Sequence, residues 1–279
     1  MNLGLALRSN IFTPKESVEL SAELRPFSYF LIPDVSNEVD PIALSLSILS
    51  KRDDCRAGSG VIRVFEHDLS YLTKQVKTIQ SLTDNRFFLG VGTGTVADAP
   101  SAAIKRFVNV INSIRSANAG LEIYAAALRE KIARVVAGTA DGIILNFSTF
   151  SHANRMARTF KNGGGKTVFS YLKIFVSWSR ERAENLAKEE FTKYSNLPQY
   201  ASLFEKEKII TGLPREITGK DMKMLQEKGV LLINPSASEV NYAINFFVSN
   251  GVDVPVIYPY FTSNYTPEEK INYLKKLIG

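Results

Sequence analysis

Short apolar runs alternate with amphipathic, helix-like segments along the whole chain. The runs that predict strands are residues 3–7, 29–32, 60–64, 87–91, 122–126, 142–145, 168–176 and 254–258. The segments between them are too long for hairpins, so we expect parallel pairing through right-handed crossovers. Eight such strands predict an α/β fold, a (β/α)8 TIM barrel formed by residues 1–279 as a single domain. An open doubly wound sheet remains an alternative, because periodicity does not report closure.

Helix starts between these runs are marked by capping chemistry. Thr13-Pro14-Lys15-Glu16 combines an N-cap, a proline at the first helical position and a capping glutamate. The pattern recurs at residues 236–239 and 266–269, and Asp40-Pro41 begins another predicted helix. A ninth apolar run, residues 230–233, is interpreted as a connection before the last barrel helix rather than as a barrel strand.

Composition narrows the function classes. The chain has 279 residues, 45% of them hydrophobic, with one cysteine and a net charge of +6. No apolar stretch reaches the roughly 20 residues of a membrane span. The N-terminus shows no basic leader and reads as a strand rather than a signal peptide. With the lone cysteine this favours a cytoplasmic protein. Lysines and arginines are spread evenly, which favours a solvated basic surface over nucleic-acid binding.

Three common chemistries find no support in the sequence. The two histidines, His67 and His152, are far apart and no Cys/His cluster exists, so no metal site is predicted. The G-x-S-x-G elbow of serine hydrolases is absent. The glycines of residues 162–167 precede a strand rather than a helix, so they predict a loop and not a phosphate-binding P-loop.

The most informative stretch is residues 86–94, an apolar run that ends in Gly90, Gly92 and Gly94. Glycines there let the backbone turn sharply and approach a ligand without a clash at Cβ. Together with residues 122–128 and 140–147, in this order and spacing, the stretch resembles the bacterial-luciferase-like superfamily of flavin- and deazaflavin-dependent oxidoreductases. The branch most resembled is that of F420-dependent methylenetetrahydromethanopterin reductase.

The resemblance implies a set of site residues at the carboxyl ends of the strands. Asp34, after the second strand, corresponds to an acidic residue beside the ring and is the predicted catalytic residue; its alternative role is a turn cap. Ser59-Gly60-Val61 occupies the place of a non-proline cis peptide that forms a bulge behind the ring. The remaining predicted cofactor-binding residues are Gly92, Thr93, Gly94, Thr95, Ala126, Ala127, Leu128, Asn146 and Ser148.

The sequence departs from the family pattern at two places, and both affect the prediction of the substrate more than the prediction of the fold. Between Thr95 and Glu122 a single predicted helix replaces the longer insertion usual in the family. Residues 65–68 replace a pattern usually written Arg-His-Pro, with His67 either in the histidine's place or simply exposed on a loop.

The resemblance therefore implies an oxidoreductase that transfers a hydride between coenzyme F420 and a small organic or pterin-type substrate. An FMN-dependent monooxygenase and a non-catalytic flavin-binding barrel remain the alternatives. We expect a small-molecule substrate, no nucleic-acid or membrane partner, and a homo-oligomer, a dimer. The sequence leaves the substrate, and the choice between F420 and FMN, open.

Overall fold

The computed structural model describes residues 2–36, 38–94 and 100–278. Its strands are β1 (Gly4–Ala6), β2 (Tyr29–Ile32), β3 (Arg56–Ser59), β4 (Ile62–Arg63), β5 (Phe87–Gly92), β6 (Glu122–Ala126), β7 (Gly142–Leu145), β8 (Thr167–Val176), β9 (Leu231–Ile233) and β10 (Val254–Phe261). Its helices are α1 (Pro14–Glu23), α2 (Pro41–Lys51), α3 (Leu69–Leu82), α4 (Pro100–Ala117), α5 (Glu130–Val136), α6 (Phe150–Asn162), α7 (Arg180–Ser195), α8 (Pro198–Lys206), α9 (Gly219–Glu227), α10 (Ala237–Ser249) and α11 (Pro267–Ile278).

Eight parallel strands close into a barrel. In order around the ring they are β1, β2, β3, β5, β6, β7, β8 and β10, and β10 pairs with both β8 and β1 to complete the ring. The crossovers run through helices on the outside, so the predicted (β/α)8 barrel is confirmed and the open sheet is excluded. Among the described residues, no helix is both long and apolar enough to cross a membrane.

The third strand lies earlier in the chain than predicted. The prediction placed it at residues 60–64, with Val61 on a barrel strand, but β3 covers Arg56–Ser59 and Val61 falls between β3 and β4. The reason is close packing: a Cβ on Gly58 would lie 1.9 Å from the carbonyl oxygen of Phe88 on β5. A strand held that close to its neighbour must be built from small residues, and a search for apolar runs does not detect such a strand.

The predicted helix starts are confirmed. Thr13, Ser236 and Thr266 each accept a hydrogen bond from the main-chain N–H of the glutamate three residues later, and that glutamate accepts one from the capping residue's N–H. The Asp40 carboxylate accepts from the N–H groups of Ile42 and Ala43, both at 2.8 Å. The single helix expected between Thr95 and Glu122 is α4, and residues 163–166 form the predicted loop.

The connection from β8 to β10 is the longest in the barrel. It contains α7, α8, α9 and β9 before α10. The ninth apolar run lies directly before the last barrel helix, as predicted, but it does form a strand. β9 pairs with the second half of β8, from Lys173 to Phe175, outside the closed ring of eight.

Aromatic side chains fill the amino-terminal half of the barrel interior. Phe169 lies 4.7 Å from Tyr124 and 5.3 Å from Tyr29 between ring centroids, with Phe88 beside all three. A closed floor of this kind leaves the carboxyl ends of the strands as the open mouth, where barrel enzymes place their sites.

Candidate functional site

The predicted site residues that the structure describes lie at one end of the barrel. Asp34 follows β2 and Ser59 ends β3, with Gly60 and Val61 directly after it. Others end or follow the next strands around the ring: Gly92, Thr93 and Gly94 at β5, Ala126, Ala127 and Leu128 at β6, Asn146 and Ser148 at β7. Thr95 lies outside the described residues. The parallel topology thus brings these segments together at the mouth.

Asp34 is held by two neighbours. Its Oδ2 accepts a hydrogen bond from the main-chain N–H of Arg63 at 3.2 Å and lies 2.9 Å from Nε2 of His67. The Asp34 side chain is only 10% exposed, whereas that of His67 is 40% exposed. The carboxylate therefore sits in a largely dry position while its histidine partner reaches solvent.

Two arginines lie at the strand ends, and one of them, Arg63, contacts this pair, with its Nε 3.6 Å from Oδ2 of Asp34. Arg63 lies 2.6 Å from Glu66 and donates to the hydroxyl of Ser36 at 3.0 Å. Arg8, after β1, lies 3.4 Å from Glu190 of α7 and 3.8 Å from Glu38. The mouth thus carries positive groups at β1 and at the β4 end, each anchored by carboxylates.

The peptide bond between Gly60 and Val61 is cis, as expected from the resemblance. The hydroxyl of Tyr171 on β8 reaches across the barrel and donates to the carbonyl of Gly60 at 2.8 Å. Ser59 is fully buried and donates to the carbonyl of Gly90 at 2.7 Å. Ser59 therefore supports this wall of the mouth through a strand-to-strand contact.

Beside β7, a buried histidine links two predicted site segments. Nδ1 of His152 lies 3.0 Å from the hydroxyl of Ser148, which is fully buried, and the His152 ring also hydrogen-bonds to the Leu128 backbone. Burial lowers the pKa of His152. His152 joins the ends of β6 and β7 from beneath. Asn146 donates from Nδ2 to the hydroxyl of Tyr200 at 3.1 Å.

On the β7–β8–β10 side the mouth is packed with aromatic rings. Phe147 lies within 6 Å, centroid to centroid, of four rings contributed by α7 and α8, namely Phe191, Tyr194, Tyr200 and Phe204. Since this side is covered, the accessible part of the mouth lies over the ends of β2 to β6, where Asp34, Gly60 and Gly94 are partly exposed.

Lys173, an inward-facing residue of β8, is completely buried beside this aromatic wall. Its ammonium donates to the hydroxyl of Tyr260 at 2.9 Å, and Tyr260 donates to Glu190 at 2.7 Å. Burial lowers the pKa of Lys173 to about 7, while the nearby Glu190 carboxylate opposes that shift.

The rim beyond β8 carries an exposed aromatic pair. Trp178 is 62% exposed and stacks on Tyr265 with centroids 4.9 Å apart and ring planes 13° from parallel. The preceding residue, Ser177, is fixed by its main-chain N–H, which donates to the Asn234 side chain at 2.8 Å.

The predicted site did not include His67, Arg8, Arg63 or Lys173. Two of them had a usable signal. Lys173 is the one charged residue within the apolar run 168–176, and His67 is the residue that the resemblance offers for the family's histidine, with an exposed loop position as the alternative. Nothing in the sequence pairs Arg8 with Glu190, because that contact spans 182 residues.

This barrel, with its mouth at the strand ends, has the fold of the luciferase-like flavin- and deazaflavin-dependent enzymes. An F420-dependent secondary alcohol dehydrogenase, solved with an F420–acetone adduct, matches with a TM-score of 0.72 at 10% identity, covering 100% of both chains. The coenzyme F420-dependent tetrahydromethanopterin reductase of Methanopyrus kandleri matches at 0.67 and 14% identity, over 99% of this chain and 98% of that one.

A structure solved in complex with FMN shares the fold as well. The oxygenating constituent of 3,6-diketocamphane monooxygenase from Pseudomonas putida, a type II Baeyer–Villiger monooxygenase in complex with FMN, matches with a TM-score of 0.66. The identity is 12%, over 99% of this chain and 96% of that one. No family model matches the chain, and no curated protein matches it. At these identities the likeness establishes the fold, and function follows from the site.

The mouth contains unsatisfied polar atoms that a ring cofactor would complement. In the described part of the chain, Nε of Arg8 and Oδ1 of Asn146 are buried without a hydrogen-bond partner, and Nε of Arg63 is buried with only the Asp34 carboxylate near it, at 3.6 Å. Buried polar groups normally have partners, so two donors and one acceptor here call for a ligand. Flavin and deazaflavin rings offer carbonyl acceptors and a ring N–H donor. The residues therefore fit both cofactors without choosing between them.

Proposed function

We propose that this protein is an oxidoreductase that transfers a hydride between coenzyme F420 and a small organic substrate, in the manner of methylenetetrahydromethanopterin reductase. The observation that carries the proposal is the Asp34–His67 pair, because hydride transfer to a polar bond requires an accompanying proton. Asp34 is largely buried while His67 reaches solvent. This arrangement suits a proton that passes between the reacting site and water.

The cofactor, when bound, supplies the hydride chemistry, and the chain supplies position and charge. The backbone at Gly60-Val61 and at 126–128 would hold the ring and the phosphate-bearing chain. Arg8 would donate to a ring carbonyl or an anionic group from its Nε, which has no hydrogen-bond partner, and Arg63, whose Nε lies 3.6 Å from the Asp34 carboxylate, would add positive charge beside it. Asp34 and His67 would hold or accept the proton at the substrate's polar atom. The chain's net charge of +6 favours an anionic cofactor.

Two other functions have specific support. An FMN-dependent monooxygenase is favoured by the FMN complex of a protein with the same fold. A flavin-binding barrel without catalysis is favoured by the single helix α4 where related enzymes have an insertion, and by the aromatic packing of α7 and α8 against the mouth.

We also propose a soluble homodimer that acts on a small molecule in the cytoplasm.

Cofactor titration of the purified protein separates these functions. Binding of F420 without retention of FMN, followed by substrate-dependent loss of the oxidised deazaflavin absorbance, supports the proposal. Retention of FMN with oxygen consumption selects the monooxygenase. Binding without turnover across a panel of secondary alcohols and reduced one-carbon carriers selects the non-catalytic barrel.

Asp34→Asn tests the role of the pair within the proposed reaction. The substitution keeps the shape but removes the proton-accepting carboxylate, so turnover should fall by about 10²–10⁴-fold. Cofactor affinity should stay nearly unchanged. Asp53→Asn is the matched control, because Asp53 is exposed at the opposite end of the barrel, before β3. Equal turnover in the two variants would reduce Asp34 to a turn cap.

A further inference from the structure

The proposed reaction does not use Lys173, a charged residue that is completely buried. Lys173 belongs to the inward row of β8: Phe169, Tyr171 and Phe175 pack in the barrel interior, while Leu172 and Ile174 pack outward against the helices. Lysines are almost never fully buried unless paired, because desolvating the ammonium is costly. A lysine kept in this position therefore calls for a role in the interior.

Lys173 is the inner end of a hydrogen-bonded chain. Its ammonium donates to Tyr260, Tyr260 donates to Glu190, and Glu190 lies 3.4 Å from Arg8 at the mouth. Arg8 in turn lies 3.8 Å from Glu38, on the rim. Tyr260 and Glu190 can pass a proton between Lys173 and the strand ends, where Arg8 stays protonated and holds Glu190 in place.

Aromatic rings complete the surroundings of the ammonium. The ring centroids of Phe147 and Tyr258 lie 4.3 and 4.2 Å from its nitrogen, and that of Tyr194 lies 5.5 Å away. These ring faces stabilise the ammonium form without supplying a counter-charge. Lys173 therefore tolerates both protonation states, with Glu190 as the acidic group that faces it and Arg8 as the opposing cation.

The tyrosines around Lys173 do not share its titration. Burial raises the pKa values of Tyr171, Tyr194, Tyr258 and Tyr260 above that of free tyrosine. They stay neutral in the range where Lys173, with a pKa of about 7, changes its charge. Lys173 is thus the group in this cluster that titrates near neutral pH.

Two neighbours of Lys173, Tyr171 on the same strand and Phe147 over the ammonium, connect it to the candidate cofactor site. Tyr171, two residues earlier in the same inward row, already touches the carbonyl of Gly60 at 2.8 Å. Phe147, which covers the ammonium, stands in the chain between the site residues Asn146 and Ser148. Lys173 is therefore closer to the mouth than Tyr171 and borders the site at β7.

We propose that Lys173 is the charge-compensating group of this site, taking up one proton when the bound cofactor ring is reduced and releasing it when the ring is oxidised. The inference rests on the proposed function. A hydride from the substrate brings two electrons and one proton, so it adds one negative charge to the ring. Lys173 balances that charge with a proton from water, relayed through Glu190 and Tyr260. When the hydride leaves, the proton returns by the same path.

The test follows Lys173 directly by NMR of wild-type protein labelled at the lysine side-chain Cε. The Lys173 signal is assigned by its loss in Lys173→Met, and it should titrate near neutral pH in the free protein. With FMN or F420 bound, whichever the protein retains, dithionite reduction should raise its midpoint by about one pH unit or more, a tenfold or larger change in proton affinity. The titration itself uses the wild type, and Lys173→Met serves only to assign the signal.

The reduction potential of the bound cofactor gives a second readout. Lys173→Met should lower the potential, because the reduced state loses its compensating charge. Lys270→Met is the matched control: Lys270 is also largely buried and lies 5.5 Å from a phenylalanine ring, but it belongs to α11 on the outside of the barrel. It should leave the potential unchanged.

The outcomes separate this inference from the proposed function. A bound cofactor whose reduction leaves the Lys173 midpoint unmoved, or an equal potential in Lys173→Met and wild type, overturns the inference alone. A wild-type protein that retains neither FMN nor F420 overturns both.

Discussion

Lys173 also links stability to pH. In the folded protein its pKa is about 7, whereas a lysine in an unfolded chain has a value of about 10.4. Between these values the unfolded state binds more protons than the folded state, so the free energy of unfolding rises with pH. Below the lower value both states are protonated, and the full cost of burying the ammonium is present.

Lys173→Met should therefore stabilise the protein, most strongly below neutral pH. We expect a gain of about 1–4 kcal/mol, the range found when buried ionic groups are replaced by apolar ones. Tyr260 keeps its bond to Glu190, so no buried donor is orphaned. Urea unfolding at about pH 6 and about pH 10 measures the effect, and the gain should shrink at the higher pH because the wild-type lysine has lost its proton in the folded state while the unfolded chain keeps most of it. A loss of stability at the lower pH would contradict this account.

The positions of the site residues could be predicted from the sequence, but their partners could not. Asp34 and Asn146 follow apolar runs, and parallel strands bring such positions to one end of a barrel. The bond between Asp34 and His67 joins residues 33 positions apart, and that between Lys173 and Tyr260 joins residues 87 positions apart. Contacts of this kind depend on strand register and side-chain direction, which a pattern of apolar residues does not carry.

Among the elements, helix starts and the third strand show opposite outcomes. The helix starts were predictable because a capping box is local chemistry, complete within four residues. β3 is formed by Arg56-Ala57-Gly58-Ser59, which has no apolar run, and it is a strand because β2 and β5 pair with it on either side. Its residues are small because the neighbouring backbone lies too close for larger side chains, and this constraint comes from the tertiary structure.

Gly58→Ala tests that constraint. The added Cβ would lie 1.9 Å from the Phe88 carbonyl oxygen, so β3 and β5 would have to separate. We expect a loss of more than about 3 kcal/mol, at the upper end of single-substitution effects. Gly138→Ala is the control, since no atom lies within 4 Å of the added Cβ. Its expected effect is a change of at most about 1 kcal/mol, in the stabilising direction. Similar urea midpoints for the two variants would show that β3 and β5 are not held so closely.

At the scale of the whole molecule, strand number was predictable and closure was not. Closure depends on β10 pairing with β8 along its full length and with β1 through Val256 and Ile257. The fold also does not determine which cofactor is bound, because proteins with the same barrel are solved with F420 and with FMN. The choice between F420 and FMN depends on side chains at the mouth and on the overall charge.

The net charge of +6 predicts salt-dependent binding of an anionic cofactor. The affinity for F420 should weaken between about 0.1 and 1 M salt, where the Debye length shortens from about 10 to about 3 Å. Riboflavin, which lacks the phosphate, is the control and should bind with little salt dependence. Fluorescence titration across the salt series measures both. An F420 affinity that stays constant would mean that short-range hydrogen bonds from Arg8 and Arg63 dominate over the field of the molecule.

The aromatic pair on the rim has an optical consequence. Trp178 is the only tryptophan of the chain, so light absorbed by indole is re-emitted from one known position beside the barrel mouth. Its exposure places the emission at the long wavelengths of an indole in water. Tryptophan emission overlaps the absorption of an oxidised deazaflavin or flavin, so a cofactor in the mouth becomes an energy acceptor at short range. Quenching of the Trp178 fluorescence therefore reports when a cofactor binds in the mouth and when it is released, without any added dye.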